Sequence, residues 1–240
     1  MEQRNVEYSE GGVTMVGQMF VPEGGGVRPG VLVAHDWSGR NALAHDAATR
    51  LAGQGYVGFA LDMYGAGRCF EQTKDKVDNM AALRADRGLL MRRIAAALNA
   101  MKGQPEVDAA CTGAIGFCFG GLCVLDLARS GAEVGGVVAF HGLLDAPSAE
   151  LCKPIRAQVL ALHGYRDPMC PPAMLAAFEE EMRAAEVDFQ VHVYGRAVHA
   201  FANPIANNAA AGTVYDALTA HRAFRSMEGF FADLFATSSL

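Results

Sequence analysis

A cysteine at the centre of a glycine-flanked turn is the residue of this chain best placed to do chemistry. Cys118 lies within Ile-Gly-Phe-Cys-Phe-Gly-Gly at residues 115–121, after a run typical of a buried strand and before a run with helical periodicity. Glycines two residues before and after a nucleophile are the pattern of a nucleophile elbow, which exposes the central side chain above a sheet. The following helix directs its first N–H groups at Cys118 and favours a thiolate there. Tight packing of the junction is the alternative explanation of the same glycines.

Two further residues, Asp167 and His199, follow strand-like segments downstream of the cysteine. Asp167 comes after the apolar run at residues 159–164, and His199 comes after the extended run at residues 189–195. Loops at the carboxyl ends of parallel strands share one rim of the sheet, which is where open α/β sheets place their sites. Three segments that are distant in sequence are thus expected to bring a thiol, a carboxylate and an imidazole together. The sequence therefore predicts a catalytic triad of Cys118, His199 and Asp167.

Three motifs resemble those of the dienelactone hydrolases (carboxymethylenebutenolidases), which are α/β-hydrolases with a Cys-His-Asp triad. The motifs are Gly-Phe-Cys-Phe-Gly-Gly at residues 116–121, Gly-Tyr-Arg-Asp-Pro at residues 164–168 and Val-His-Ala-Phe at residues 198–201. The resemblance spans nearly the whole chain, from the strand at residues 30–34 to the last helix. The cysteine-centred elbow is its specific part, because the glycines and apolar strands are shared with many serine hydrolases.

An acyl-transfer site also needs two donors directed at the developing oxyanion. One is normally the backbone N–H after the nucleophile, here that of Phe119. By the resemblance the second is the N–H of Trp37, whose side chain alternatively packs at the surface or forms a wall of the pocket. The family has a glutamate in the Trp37 loop, which holds the resting thiol and takes its proton when substrate arrives. This chain has Asp36, one methylene shorter, which is interpreted either as the same thiol switch or as a residue that orders the loop.

The expected substrate contacts depart from the family pattern. In dienelactone hydrolases an arginine a few residues after the catalytic histidine binds the substrate carboxylate, whereas this chain has Asn203 there. Arg84 or Arg87, on a predicted long helix, is the alternative carboxylate contact. Because bidentate arginine is the preferred carboxylate ligand, its loss predicts that neutral esters or lactones are turned over at least as well as the matching carboxylates. The residues expected at the substrate pocket are His35, Tyr64, Arg84, Phe201 and Asn203.

Composition agrees with a compact enzyme. The chain of 240 residues is long enough for one α/β domain over residues 1–240, and 51% apolar with 19% charged residues suits a core on both sides of a sheet. A net charge of −6 without a Lys or Arg cluster indicates neither nucleic acid nor an anionic membrane as partner. A small-molecule ester or lactone is the expected partner, with the protein a monomer or a weak homo-oligomer.

Cysteine spacing and the termini bear on location and cofactors. The six cysteines, at positions 69, 111, 118, 123, 152 and 170, form no Cys-x-x-Cys pair and fit neither a zinc site nor a disulfide scaffold. The polar start lacks the apolar core of a signal peptide, and no apolar stretch approaches the length of a membrane span. These features predict a cytoplasmic protein that uses no metal and no organic cofactor.

Strand and helix patterns alternate along the chain. They predict an α/β-hydrolase fold, with a mostly parallel, doubly wound sheet of about eight strands flanked by helices and an N-terminal antiparallel hairpin. The hairpin turns at Gly11 and Gly12, and Asn41 is expected to cap the first helix. The helices are expected at about residues 42–53, 78–101, 172–185 and 212–235, beside the helix after the elbow.

The leading hypothesis is a hydrolase that cleaves a small ester or lactone through a thioacyl intermediate on Cys118. A thioesterase or acyltransferase with the same triad is the alternative that differs only in the acyl donor or acceptor. A non-catalytic relative that binds a small molecule is an alternative from another class. The three converging triad loops argue against it, because a binding module has no use for them.

Overall fold

The computed structural model of the chain describes residues 1–237. Its strands are β1 Glu2–Glu10, β2 Val13–Val21, β3 Arg28–Ala34, β4 Val57–Ala60, β5 Val107–Phe117, β6 Gly136–Phe140, β7 Gln158–Gly164, β8 Phe189–Tyr194, β9 Asn207–Asn208 and β10 Thr213–Val214. The first eight form one sheet in the order β1-β2-β4-β3-β5-β6-β7-β8. β1 pairs antiparallel with β2, and β2 pairs antiparallel with β4. The neighbours from β4 to β8 are all parallel, which confirms the mostly parallel sheet with an N-terminal hairpin.

The helices cover both faces of this sheet. They are α1 Ala42–Gly53, α2 Thr73–Ala85, α3 Arg87–Lys102, α4 Phe119–Arg129, α5 Pro172–Ala184 and α6 Ala217–Thr237. One core joins α3, α4 and α5 to one face of the sheet, through residues such as Ile94, Leu122 and Phe178. The other core joins α1 and α6 to the opposite face, through residues such as Leu51 and Phe231. Two cores on opposite faces confirm the doubly wound arrangement.

The first turn and the first helix form as their sequences predict. Gly11 and Gly12 have φ of +58° and +78°, the left-handed pair that a two-residue hairpin between β1 and β2 requires. The side chain of Asn41 accepts a hydrogen bond from the N–H of Ala44, so it caps α1 as expected.

Two helix boundaries differ from the sequence expectation. The single helix expected at residues 78–101 is two helices, α2 and α3, that meet at Asp86. Asp86 has φ −120° and ψ +81°, and its carboxylate accepts the N–H of Leu89, so it caps a new helix instead of continuing the old one. The last helix begins at Ala217 instead of about residue 212, because Thr213–Val214 is extended and pairs with Asn207–Asn208. The first difference is an interruption at Asp86 within the expected helix, and the second is an extended segment before the last helix.

Candidate active site

Cys118 occupies a strained turn between β5 and α4. Its φ of +55° and ψ of −113° are rare for a residue with a side chain, and it stands at the N-cap of α4. A Cβ on Gly116 would lie 2.0 Å from the carbonyl oxygen of Gly120, and one on Gly120 would lie 2.2 Å from that of Ala34. The N–H of Cys118 donates to the carbonyl of Phe140 at the end of β6, at 3.0 Å. The glycines therefore permit a close approach that any side chain would prevent.

His199 and Asp167 come together above this turn. Nδ1 of His199 lies 2.7 Å from a carboxylate oxygen of Asp167, and both side chains are 2% exposed or less. The other carboxylate oxygen of Asp167 accepts the N–H of Met169 at 2.8 Å, which fixes the carboxylate. Nε2 of His199 is buried and makes no hydrogen bond within residues 1–237, and the group that most raises the pKa of His199 is Cys118. The structure thus brings the three predicted triad residues together.

The pKa of His199 reflects these neighbours. Burial alone would lower the pKa, but the charge and hydrogen bond of Cys118 and those of Asp167 raise it to about 10. The imidazole is therefore protonated at neutral pH. The imidazolium and the positive end of α4 both bring positive charge close to the Cys118 side chain.

The short strand β10 holds the histidine loop in place. The backbone of His199 donates to the carbonyl of Gly212 at 3.0 Å and accepts the N–H of Val214 at 3.1 Å. Gly212 has φ +64°, and a Cβ there would lie 2.6 Å from the Pro168 ring, so it brings the acid loop against the histidine loop. The extended segment that shortens α6 is therefore the segment that anchors His199.

The two expected oxyanion donors face no protein acceptor. Within residues 1–237, the N–H groups of Trp37 and Phe119 make no hydrogen bond to the protein. Tyr64 links the two residues, since its ring stacks on that of Phe119 at 5.9 Å and its hydroxyl donates to the Trp37 carbonyl at 3.0 Å. Burial also raises the pKa of Tyr64, so the hydroxyl keeps its proton. Tyr64 therefore supports the loop, although it was expected to line the pocket.

Asp36 is almost completely buried and held by neutral donors. Its Oδ1 accepts from the backbone N–H and hydroxyl of Ser38, at 2.9 and 2.6 Å, and from the amide of Asn41 at 3.0 Å. Its Oδ2 faces the amide of Asn203 at 3.3 Å, which joins this loop to the histidine loop. The sequence predicts a helix cap for Asn41 but not the contacts of Ser38 and Asn41 with Asp36. The signal was an aspartate two residues before a serine, a common local hydrogen-bonded turn.

His35 and Phe201 were expected at the pocket but lie behind it. His35 is fully buried; its Nε2 accepts the N–H of Met63, so Nδ1 carries the proton and donates to the carbonyl of Asp36. Burial lowers the pKa of His35, which keeps this ring neutral. Phe201 is also fully buried, with its ring against those of His141 and Tyr194. Neither ring reaches a substrate from the solvent side, because packing encloses both.

The two arginines expected as alternative carboxylate contacts, and one lysine, have different surroundings. Arg87 is enclosed by the carboxylates of Asp126 and Asp145, so it is not free to bind a substrate. Arg84 is half-exposed and lies 3.5 Å from Asp145. The Nζ of Lys76, on α2, lies 5.6 Å from the centroid of the Trp37 ring, a contact that sequence reasoning missed because charged residues fill the surrounding helix.

Residues 1–237 contain neither a cluster of metal-ligating side chains nor a helix that could span a membrane. Among residues 1–237, no three His, Cys, Asp or Glu side chains are grouped as a metal ion would require. In the same range, each helix is too short or too polar to cross a bilayer.

The sheet order, the helices on both faces and the strained turn after β5 together define an α/β-hydrolase fold. Residues 15–235 match the model of the dienelactone hydrolase family, so the chain belongs to that family. It is an ester or lactone hydrolase.

Several known proteins resemble this chain. A solved dienelactone hydrolase-like promiscuous phosphotriesterase from metagenomic libraries is 37% identical, with a TM-score of 0.93 over 97% of this chain and 98% of the other. A putative carboxymethylenebutenolidase of Methylorubrum extorquens is 30% identical over 75% of this chain and 66% of its own. A probable 2-oxo-3-(5-oxofuran-2-ylidene)propanoate lactonase of Bradyrhizobium sp is 27% identical over 82% of both chains.

Proposed function

We propose that this chain hydrolyses a small ester or lactone through a thioacyl intermediate on Cys118. The proposal rests on one observation: the thiol, the imidazole and the carboxylate lie next to one another in that order. The Cys118 thiol lies beside Nε2 of His199, whose Nδ1 is 2.7 Å from Asp167. A nucleophile next to a base that a third group orients is the general arrangement of covalent catalysis.

Acylation begins when the Cys118 thiolate attacks the substrate carbonyl carbon, and the carbonyl π electrons move to the oxygen. The N–H groups of Phe119 and Trp37 stabilise the resulting oxyanion. When the tetrahedral intermediate collapses, the ester C–O bond breaks and the His199 imidazolium gives its Nε2 proton to the departing alkoxide. Asp167 holds Nδ1–H throughout and keeps Nε2 directed at the thiol. The enzyme then carries a thioester, and in a lactone the new alcohol stays attached to the acyl group.

Deacylation uses the same residues in the reverse sense. His199, now neutral, takes a proton from a water molecule as its oxygen attacks the thioester carbon. Collapse of the second intermediate expels the Cys118 thiolate and releases the carboxylic acid. If an alcohol or thiol replaces water, the same steps transfer the acyl group instead, and a thioester donor makes the enzyme a thioesterase. These alternatives differ only in the acyl donor or acceptor.

The hydrogen bonds of Asp36 favour loop ordering over a thiol switch. One oxygen accepts from Ser38 and Asn41, and the other faces Asn203. A carboxylate held in this way must give up hydrogen bonds before it takes a proton from the thiol, and each net hydrogen bond is worth roughly 1 kcal/mol. The raised pKa of His199 provides a second source of thiolate that needs no switch.

The proposed substrate is neutral. Asn203 supplies no charge where the family's arginine binds a carboxylate, and its amide is engaged with Asp36. The buried Asp36 carboxylate, with neutral partners only, also repels an anion at that place. Lys76 over Trp37 and Arg84 are the cations that an anionic substrate would have to use.

Phosphotriester hydrolysis is a second candidate, supported by the 37% identity and the TM-score of 0.93 with a promiscuous phosphotriesterase. The thiolate would attack phosphorus in place of carbon, the departing aryloxide or alkoxide would take the His199 proton, and water would then cleave the S–P bond and release the thiolate. The phosphoryl oxygen would occupy the same donors. Phosphotriesters are neutral, as the charge argument requires.

The test is rapid-quench mass spectrometry with neutral aryl esters, lactones and thioesters. A mass increase equal to the acyl group, mapped to the Cys118 peptide and lost on longer incubation with product acid, supports the thioacyl route. An acyl group on another residue, or turnover by Cys118→Ala, contradicts it. Turnover of thioesters alone would identify a thioesterase. If no ester, lactone or thioester is cleaved and one equivalent of iodoacetamide does not modify Cys118 first, the non-catalytic alternative is correct. An aryl dialkyl phosphate in the same panel tests the second candidate.

A further inference from the structure

His141 is a buried histidine that the mechanism above does not use. It follows β6 directly, with φ of +38°, and its side chain is about as buried as that of His199. Its ring centroid lies 5.2 Å from that of His199 with an interplanar angle of 68°, and 5.1 Å from that of Phe201 at 82°. Neither ring nitrogen has a hydrogen-bond partner within residues 1–237. His141 therefore meets His199 through ring contact and not through a hydrogen bond.

The end of β6 holds both the backbone of His141 and the turn that carries the nucleophile. The carbonyl of Phe140 accepts the N–H of Cys118, and the next N–H, that of His141, donates to Leu162 of β7 at 2.9 Å. A left-handed φ is unfavourable for a residue with a side chain, and such strain persists where the surroundings enforce it. The end of β6 thus holds the elbow in place and positions the His141 ring against the His199 imidazole.

The contact completes the restraint on the His199 ring. Asp167 fixes Nδ1 at one edge, but a single hydrogen bond leaves the ring free to tilt about that contact. The His141 ring blocks such a tilt from the side. A neutral aromatic ring packed next to a cation also attracts it electrostatically. His141 is neutral because burial, and then the charge of His199, hold its pKa well below the usual range.

We propose that His141 is a positioning residue, whose ring holds the His199 imidazole in line with Cys118 and favours its protonated form. The inference rests on the proposed thioacyl mechanism, in which His199 must reach the thiol and then protonate the leaving alkoxide. The other titratable groups around His199 are Cys118 and Asp167, which favour its charge, and His163, whose own pKa is lowered mainly by burial.

The sign of the pH effect follows from these contacts. His199 keeps its proton up to about pH 10. Loss of a neighbouring ring that stabilises the imidazolium lowers the pKa of His199. The alkaline limit, which is the pH above which His199 loses its proton and the ion pair with Cys118 is lost, therefore moves to lower pH. A loss of simple packing would lower stability without moving this limit.

The test compares His141→Leu, which removes the ring, with His141→Phe, which keeps a ring and removes the nitrogens. Measurements are kcat and KM for a neutral aryl ester from pH 5 to 11, and the iodoacetamide rate at Cys118 over the same range. We expect His141→Leu to lower kcat tenfold or more with KM within about twofold, and to shift the alkaline limit down by about half a unit or more. His141→Phe should keep kcat within threefold and keep the limit in place.

Each outcome decides the proposal. If both variants keep the wild-type kcat and pH profile, or if folded His141→Phe loses as much activity as His141→Leu, the ring contact is not the cause and the proposal fails. If His141→Leu does not fold, His141→Phe decides alone, since its loss of kcat or a shifted limit overturns the proposal. Cys118→Ala separates the two claims, because a wild-type rate in that variant defeats the proposed mechanism whatever His141 does.

Discussion

Two buried polar clusters lie at opposite ends of α4, and their hydrogen bonding differs. At the helix start, the reactive cluster consists of Cys118, Asp167, His199 and His141. At the helix end, the ionic cluster consists of Arg87, Asp126, Arg129, Asp145 and Glu181. In the ionic cluster the guanidinium of Arg129 contacts Asp126, Glu181 and two backbone carbonyls. In the reactive cluster, within the described residues, Nε2 of His199 has only the thiol beside it and His141 has no hydrogen-bond partner for its ring.

The difference teaches what each end of α4 does. Removing one partner from a buried ion pair leaves an uncompensated charge, so a saturated cluster resists change and fixes the helix between α3 and α5. A reactive group must instead keep an atom free for the substrate, and strained backbone at Cys118 and His141 accompanies that freedom. We therefore expect substitutions at the helix start to change activity and substitutions at the helix end to change stability.

The largest effect is expected for Cys118→Ala. Ester hydrolysis should fall more than a thousandfold, because loss of the nucleophile in triad enzymes costs more than that. The free energy of unfolding should change little, since the substitution removes a single sulfur atom from a partly buried side chain. Initial rates test the predicted loss of activity, and urea unfolding tests the predicted stability. Cys152→Ala, at an exposed cysteine, is the control. Residual activity above about a thousandth of wild type would exclude the thioacyl route.

Arg129→Met tests the other end of the helix. The substitution leaves Glu181 and part of Asp126 without their cation, so the free energy of unfolding should fall by about 3–5 kcal/mol. The rate constants of the protein that remains folded should stay within a few-fold of wild type. Arg183→Met is the matched control, because its pair with Glu180 is exposed and its loss should not be measurable in urea unfolding. A large fall in kcat without loss of stability would show that the two clusters are not separate.

Asp36→Asn tests whether Asp36 takes part in the chemistry of the reactive cluster. A thiol switch predicts alkylation of Cys118 about tenfold faster near neutral pH with lower turnover, because a nearby carboxylate disfavours the thiolate and accepts its proton. Loop ordering predicts little change in alkylation. Ser38→Ala is the control, since it removes a hydrogen bond to Asp36 without changing the charge. If Asp36→Asn alters alkylation and turnover no more than Ser38→Ala does, Asp36 orders the loop and His199 alone activates the thiol.

The remaining effect, on substrate preference, is expected at Asn203. Wild type should turn over neutral esters at least as well as matching carboxylates, and Asn203→Arg should shift the kcat/KM ratio toward the carboxylate by about tenfold. Asn203→Ala separates the added charge from the lost contact with Asp36. A strong preference of wild type for the carboxylate would contradict the proposed pocket. Lys76→Met and Arg84→Met would then identify the cation responsible.

The sequence by itself determined the fold class and the three residues that meet at the rim. Apolar runs alternating with helical periodicity specify a doubly wound sheet, and in such a sheet Cys118, Asp167 and His199 must all follow carboxyl ends of parallel strands. The elbow needs glycine at residues 116 and 120, where carbonyl oxygens leave no room for a Cβ. The Gly116 constraint is local, since the excluding atom belongs to Gly120, and the glycine spacing around Cys118 is therefore visible in a single sequence.

Tertiary structure alone decided which side chains are buried and which groups surround them. His35 and Phe201 stand next to site residues in sequence, but packing turns them into the interior. Arg87 and Arg84 follow one helical pattern, yet Asp86 divides the helix, and the carboxylates of α4 and the segment after β6 enclose Arg87. The contact of His141 with His199 joins residues 58 positions apart across β6, β7 and β8. Burial and partner choice depend on contacts between distant segments, and no spacing along the chain encodes them.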